Sequence, residues 1–477
     1  MAEKRPLAMA AGLKDFVLTT ADGQDVRVIA ASRVFRQTDG APVLLCNRSL
    51  MRGRLGRQMP KIVLDVLELF AFVVPTTRGL AEALNVSVPK NAIEEAKALF
   101  SITRILLGKL AAFDIEERNS ATALALTMAR EGGWVWGADV LAALGRSPQT
   151  AGIAGLSGFA VWDRLTEWQE TGPGMPAGTQ PVEESEAENK LNELLAVPVR
   201  DFVLEDRSDQ AVYARTAARA FNPRSDEEVP VAVLAQAGTG IGKTLGYLAP
   251  AAVWVEKNAG SVWISTYTRN LQRQLERELS RLYPDPQVKR RNVVVRKGRE
   301  NYLCLLNFAE AVGRIPQLPA SAVPLGLIAR WISKTKDGDL SGGDFPGWLG
   351  DLLNKQGLAG LADQRGECIY AQCPHYKKCF IEKILRRSRH AKIVIANHAL
   401  VMTQLAGATE DVVLPSRYVF DEAHQLFNAA DGVFAGEINL REGLEMRRCL
   451  LGADDRRHTV RAQGIRRRIE DLTLVAP

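Results

Sequence analysis

Two short strings carry the residue types that phosphate chemistry needs. Ala237-Gly238-Thr239-Gly240-Ile241-Gly242-Lys243-Thr244 is rich in glycine and ends on a lysine and a hydroxyl. Glycines let backbone N–H groups converge on phosphate oxygens with no Cβ in the way. Lys243 would reach the β- and γ-phosphates, and Thr244 would ligate Mg²⁺. The second string, Asp421-Glu422-Ala423-His424, lies far downstream. Asp421 would hold Mg²⁺ through water, and Glu422 would orient and polarise an attacking water. His424 would couple the nucleotide site to its neighbours rather than act as a base. Each string alone has a plainer alternative: a glycine-rich turn with a chance Lys-Thr, and an aspartate capping a solvated helix. Together they read as one ATP site whose halves are split by an insertion.

Such a site must be held at strand ends. Val231-Ala232-Val233-Leu234-Ala235 reads as a short apolar strand before the glycine-rich turn. Thr244 to Lys257 reads as a helix, apolar at Leu245, Leu248, Ala252 and Val255, whose N-terminal dipole favours an anion. Arg417 to Phe420 reads as a strand delivering Asp421 at its C-terminal end, where open α/β sheets bind ligands.

The insertion holds four of the chain's six cysteines: Cys304, Cys368, Cys373 and Cys379. Met1 to Phe16 has no secretory core. Ile62 to Val74 reads as an apolar helix that is too short for a membrane span and carries Asp65 and Glu68. The expectation is a cytoplasmic protein with no membrane partner, in which clustered thiols mean metal or redox chemistry rather than bridges. Four thiolates suit Zn²⁺ or an iron–sulfur cluster. Structural zinc usually takes two close pairs, and one distant cysteine plus a loose trio departs from that. Zinc, cluster and free thiols all stay open on spacing alone. Cys46 and Cys449 read as ordinary thiols.

From Arg207 to His424 the chain resembles the XPD/DinG group of superfamily 2 helicases, iron–sulfur 5′→3′ DNA motors. The resemblance rests on Arg207-x-x-Gln210, on Ala235 to Thr244, and on Ile264-Ser265-Thr266-Tyr267-Thr268-Arg269-Asn270-Leu271-Gln272. It continues through Lys297-Gly298-Arg299-x-Asn301-Tyr302-x-Cys304, the three later cysteines, and Ile393 to Leu400. Where this chain has Gln236 the family usually has Glu, and Ala237 at the head of the glycine loop is common among helicases. The resemblance implies an α/β, RecA-like P-loop motor with a parallel sheet and a helical cysteine-cluster insertion. It implies a [4Fe–4S] cluster on Cys304, Cys368, Cys373 and Cys379, and Gln210 beside the nucleotide. It also implies Mg·ATP hydrolysis coupled to movement on single-stranded DNA, which would cross near Thr266, Thr268 and Gln272. DNA junctions and DNA repair are the implied setting.

The expected organisation follows. Residues 1–120 form an N-terminal α/β extension with strands at Phe16–Leu18, Val26–Val28 and Val43–Leu45, similar to a degenerate exonuclease-like domain. Residues 121–199 are a helical region, with Trp134, Trp136, Trp162 and Trp168 as core anchors, followed by a Gly/Pro/acidic linker. Residues 200–303 and 390–430 form the motor domain, 304–389 the cluster insertion, and 431–477 the start of an arch-like helical segment. The family continues into a second motor domain, of which no motif is found up to Pro477. The chain therefore reads as a front half, needing a second half in cis or in trans. The net charge of +6 suits a polyanionic partner without establishing one. Lys383, Arg386, Arg387, His390 and Lys392 lie after Cys379 at helical spacing and could track a phosphate backbone. The late arginines, Arg447, Arg448, Arg456, Arg457, Arg466, Arg467 and Arg468, read as a charged helical surface. Two other readings remain: a platform that binds ATP and DNA without translocating, and a non-helicase P-loop ATPase with structural zinc.

Overall fold

The computed structural model describes residues 5–76, 79–146, 156–170, 172, 176–196, 208–224, 229–238, 240–353, 355–363, 367–407, 415–436, 440–452 and 464–475. Thr239, Arg207 and part of the Gly/Pro linker lie outside them. The chain forms two compact units. One comprises residues 1–168, 299–381 and 440–477; the other comprises 169–298 and 382–439.

The first unit holds a five-stranded sheet of order β3-β2-β1-β4-β5. Its strands are β1 (Leu7–Ala11), β2 (Phe16–Thr20), β3 (Val26–Ile29), β4 (Pro42–Leu45) and β5 (Ile62–Asp65). Strands β1, β2 and β3 pair antiparallel, whereas β1, β4 and β5 run parallel. The run expected as one helix, Ile62 to Val74, is thus a strand followed by a helix, Val66–Val73. The break falls at Asp65, whose carboxylate caps the helix by accepting the Leu67 N–H at 2.9 Å. Asp65 also accepts the backbone N–H groups of Asn47 and Arg48, at 3.0 and 2.6 Å. These bonds let a carboxylate only 1% exposed sit in the core.

Helix Ala92–Ala111 packs on β1 and β2. Asn91 caps it, accepting the Glu94 N–H at 2.9 Å. Helix Ile115–Gly132 ends where Gly133 turns left-handed at φ 60°. The four tryptophans do anchor packing. Trp134 and Trp136 are buried, and Trp136 donates to the Asp65 carbonyl at 2.8 Å. One continuous core joins this N-terminal region to the segment around the first cysteine: Phe70, Phe72, Leu106 and Leu124 share it with Leu303, Phe308 and Trp331.

The second unit holds a four-stranded parallel sheet of order β7-β8-β6-β9. The strands are β6 (Val262–Thr266), β7 (Val293–Val295), β8 (Ile393–Asn397) and β9 (Arg417–Phe420). Helix Lys243–Asn258 packs against helices Glu184–Ala196 and Ser208–Ala218. The expected strand Val231–Ala235 does not form, and its Leu234 is 94% exposed. A β-prone segment becomes a strand only when a neighbour takes up its backbone groups, and β9 pairs with β6 alone among the described strands. No helix of the described residues is long and apolar enough to cross a membrane.

Candidate nucleotide and cysteine sites

The glycine loop leads straight into helix Lys243–Asn258, with Gly242 as its N-cap in a left-handed conformation, φ 81°. Gly240 is left-handed too, at φ 89°. Only glycine takes these angles cheaply. A Cβ on Gly242 would also collide with the Gln210 side chain. Gln210 is buried and donates its amide to the Gly242 carbonyl at 2.8 Å, tying helix Ser208–Ala218 to the loop. Ala237, Gly238 and Ile241 lie in the same irregular stretch.

The acidic string meets this loop. Strand β9 carries Asp421 just beyond its end, and the Asp421 N–H donates to the Ser265 carbonyl of β6 at 2.8 Å. Lys243 Nζ lies 3.5 Å from Glu422 Oε1, a contact across 179 residues of sequence. Glu422 is held left-handed at φ 55°. For a residue with a Cβ that conformation costs on the order of 1 kcal/mol, and such strain gathers where geometry matters. His424 Nδ1 sits 3.5 Å from Glu422 Oε2, with its side chain largely exposed. Burial raises the Asp421 carboxyl above its usual range, and the Glu422 charge adds to this; Tyr247 and Lys243 act the other way.

Two contributors escaped the sequence reading. Tyr247, one turn into the helix and only 3% exposed, donates its hydroxyl to Asp421 Oδ2 at 3.3 Å. Its position four residues after Lys243 is the signal that could have found it, because that spacing returns to the same helix face. His398, at the end of β8, is buried, with Nδ1 2.7 Å from Ser265 Oγ and its ring beside Phe420. Of the residues expected to meet DNA, Thr266 and Gln272 are buried. Thr268 caps helix Arg269–Leu282 by accepting the Leu271 N–H at 3.3 Å. Thr268 itself is exposed, as is the neighbouring Tyr267. On helix Phe380–His390, Arg387 donates to the Arg290 carbonyl at 2.7 Å, and Lys383 is lowered from its usual pKa by burial and then by Arg387.

The four insertion cysteines all fall in the first unit and none is disulfide-bonded. Cys304 caps helix Leu305–Gly313, and its N–H donates to the Leu361 carbonyl at 2.9 Å. Cys373 and Cys379 each close a single 3₁₀ turn, Tyr370–Gln372 and Tyr376–Lys378. The Tyr370 N–H points at Cys368 Sγ, 3.4 Å away. The segment is bolted down by side chains: Trp168 Nε1 donates to the Tyr376 carbonyl at 2.7 Å, and Arg299 pairs with buried Asp363 at 2.6 Å. Among the described residues no three His, Cys, Asp or Glu side chains are gathered as ligands of one metal ion. The sulfurs nonetheless feel one another. Burial chiefly raises the thiols of Cys304 and Cys373, with Cys379 adding to the first and Cys368 to the second.

Arg468 is not part of a charged surface. It is 4% exposed and hydrogen-bonded to Glu310, Asn307 and the Glu367 carbonyl, because these groups satisfy its guanidinium in the interior. Arg466 remains on the surface, paired with Glu470 at 3.1 Å.

No family model matches the chain. Individual relatives do. It is 32% identical over 225 residues to the ATP-dependent DNA helicase YoaA of Escherichia coli, covering 45% of this chain and 33% of that protein. It is 33% identical over 267 residues to the ATP-dependent helicase DinG of Mycobacterium tuberculosis, covering 52% and 38%. It is 29% identical over 230 residues to the 3′-5′ exonuclease DinG of Bacillus subtilis, covering 47% and 23%. The chain thus spans well under half the length of the curated relatives it matches. Over about half of its own length, the chain is similar to proteins named as DinG and YoaA helicases.

Proposed function

We propose that this chain carries the nucleotide-hydrolysing and DNA-contacting part of a DinG-type, ATP-dependent DNA helicase with 5′→3′ polarity. The observation that carries the reading is the meeting of Lys243 with Glu422 and of Tyr247 with Asp421. It brings a phosphate-binding loop against an acidic pair at the end of a parallel strand. Gly238, Gly240 and Gly242 would cradle the phosphates of ATP with their backbone N–H groups, and Lys243 would leave Glu422 for the β/γ-phosphates. Thr244 and Asp421 would hold Mg²⁺, which supplies neutralisation of phosphate charge. Glu422, freed of Lys243, would orient the attacking water. Tyr247 would keep the Asp421 carboxylate aimed, and Gln210 would hold Gly242 in place. The four insertion cysteines would hold a [4Fe–4S] cluster that staples their loops. Single-stranded DNA is the proposed track, with a second motor-domain half in cis or in trans completing the cycle.

The test is ATP hydrolysis with and without single-stranded DNA, in parent and Glu422→Gln protein. The variant should bind Mg·ATP like the parent and lose hydrolysis by about 10²-fold or more. Equal turnover in both would remove Glu422 from the chemistry. Zinc in place of iron in anaerobic preparations would favour the structural-zinc ATPase.

A further inference from the structure

His398 opens helix His398–Ala406 directly after β8, and Asn397 caps that helix by accepting the Leu400 N–H at 2.9 Å. The histidine is 1% exposed. Its Nδ1 lies 2.7 Å from Ser265 Oγ, whereas its Nε2 is buried with no hydrogen-bond partner among the described residues. Buried polar atoms are nearly always paired, so an unmet ring nitrogen calls for a reason. The surroundings of the ring supply one. Ser265 stands opposite Phe420 in the sheet, and its carbonyl accepts the Asp421 N–H at 2.8 Å. The imidazole centroid lies 6.0 Å from that of Phe420 and 6.4 Å from that of Tyr267. The ring is thus wedged between an exposed tyrosine and the start of the turn that carries Asp421 and Glu422. Glu422 is left-handed there, a strained conformation that its surroundings must hold.

We propose that His398 is a positioning residue that couples single-stranded DNA at Tyr267 to the acidic turn Asp421–Glu422. This deepens, and rests on, the helicase reading given above. Burial keeps the imidazole neutral, so it has one donor and one acceptor nitrogen. With the Ser265 hydroxyl donating to Nδ1, Nε2 carries the ring proton and is left to donate to a backbone carbonyl of the turn. A base stacked on Tyr267 would press the ring toward the turn, close that bond and hold Glu422 in the pose its water needs. A ligand shifts a conformation only by favouring one form, and the extra hydrogen bond is that difference. By linkage, Mg·ATP seated against the same turn would then tighten DNA by the same factor that DNA tightens Mg·ATP.

The experiment uses the full 477-residue chain and titrates a fluorescent, non-hydrolysable ATP analogue with Mg²⁺, with and without saturating oligothymidylate. The readout is the ratio of the two dissociation constants rather than either affinity. In the parent, DNA should tighten the nucleotide about fivefold or more. His398→Asn keeps a partner for Ser265 and loses the donor at Nε2; its ratio should fall to about one. His398→Gln places an amide donor near the Nε2 position and should keep most of the parental ratio. Tyr267→Ala should lose the ratio as well, which keeps the test open if the His398 variants do not fold. In the double variant the two losses should not add. A parental ratio in His398→Asn would overturn the proposal. So would equal loss in the Asn and Gln variants, the signature of packing alone, or a parent that binds both ligands with a ratio of one. A parent that binds neither Mg·ATP analogue nor oligothymidylate would instead overturn the helicase reading, and the proposal with it.

Discussion

The candidate nucleotide site and the candidate cysteine site are both assembled from residues far apart in sequence, and by different means. The nucleotide site sits on regular elements. Lys243 and Tyr247 lie in the first turns of one helix, Asp421 follows one strand, and backbone bonds fix both. Its groups already touch. The cysteine site sits on helix caps, loops and single 3₁₀ turns, and its sulfurs are not drawn together as ligands of one ion. Side chains hold it: buried Trp168 and Arg468, and half-buried Arg299. A site built on strand and helix ends is preorganised by the fold, whereas one built on loops depends on its bolts and on what it binds.

The largest effect should come from removing a bolt. Trp168→Ala deletes a nearly buried indole that donates to the Tyr376 carbonyl and stacks under Lys377. It should destabilise the first unit by about 3 kcal/mol or more, read as a lower denaturant midpoint. Proteolysis should open near residues 367–379 while nucleotide affinity stays parental. Parental resistance in that loop would mean that the side-chain bolts are not what holds it.

The next effect separates the regions by pH. Burial, chiefly, raises the Glu68 carboxyl in the first unit from 4.5 to about 7, and the nearby Asp65 charge adds to this. Between those values the folded state keeps a proton that the unfolded chain has released. Stability is therefore lost as pH rises through the window and regained as it falls. The cost at pH 8 is up to about 3 kcal/mol, and Glu68→Gln should flatten the pH dependence. A variant with the parent's pH profile would refute this assignment.

The smallest effect lies within the nucleotide site. Tyr247→Phe removes one hydroxyl bond to Asp421 and should cost about 1 kcal/mol of stability. It should lower turnover more than it raises KM for ATP, because Asp421 would be left less well aimed. A pure stability loss with unchanged turnover would reduce Tyr247 to packing.

Much of the second unit was legible because its signals were local. The short run Arg417–Phe420 stands just before Asp421, and a glycine loop precedes an apolar helix face. Strand β1 was not legible: its Leu-Ala-Met-Ala-Ala is helix-prone, and pairing with β2 and β4 decides its state. The β5-to-helix break at Asp65 was readable in principle, since an aspartate with Glu68 three residues on is a helix-start spacing. Val231–Ala235 failed in the other direction, because its strand propensity had no paired neighbour. Arg468 looked like one arginine among many, and burial at long range leaves no local mark.

The central claim, that two strings 179 residues apart form one Mg·ATP site, rests on the contact between Lys243 and Glu422. Equilibrium titration with a fluorescent ATP analogue, with and without Mg²⁺, tests it most directly. Lys243→Ala should weaken Mg·ATP binding by at least tenfold, about 1.4 kcal/mol, because backbone donors cannot replace the ammonium. Asp421→Asn should abolish most of the Mg²⁺ dependence. Parental affinity in Lys243→Ala, or full Mg²⁺ dependence in Asp421→Asn, would contradict the account.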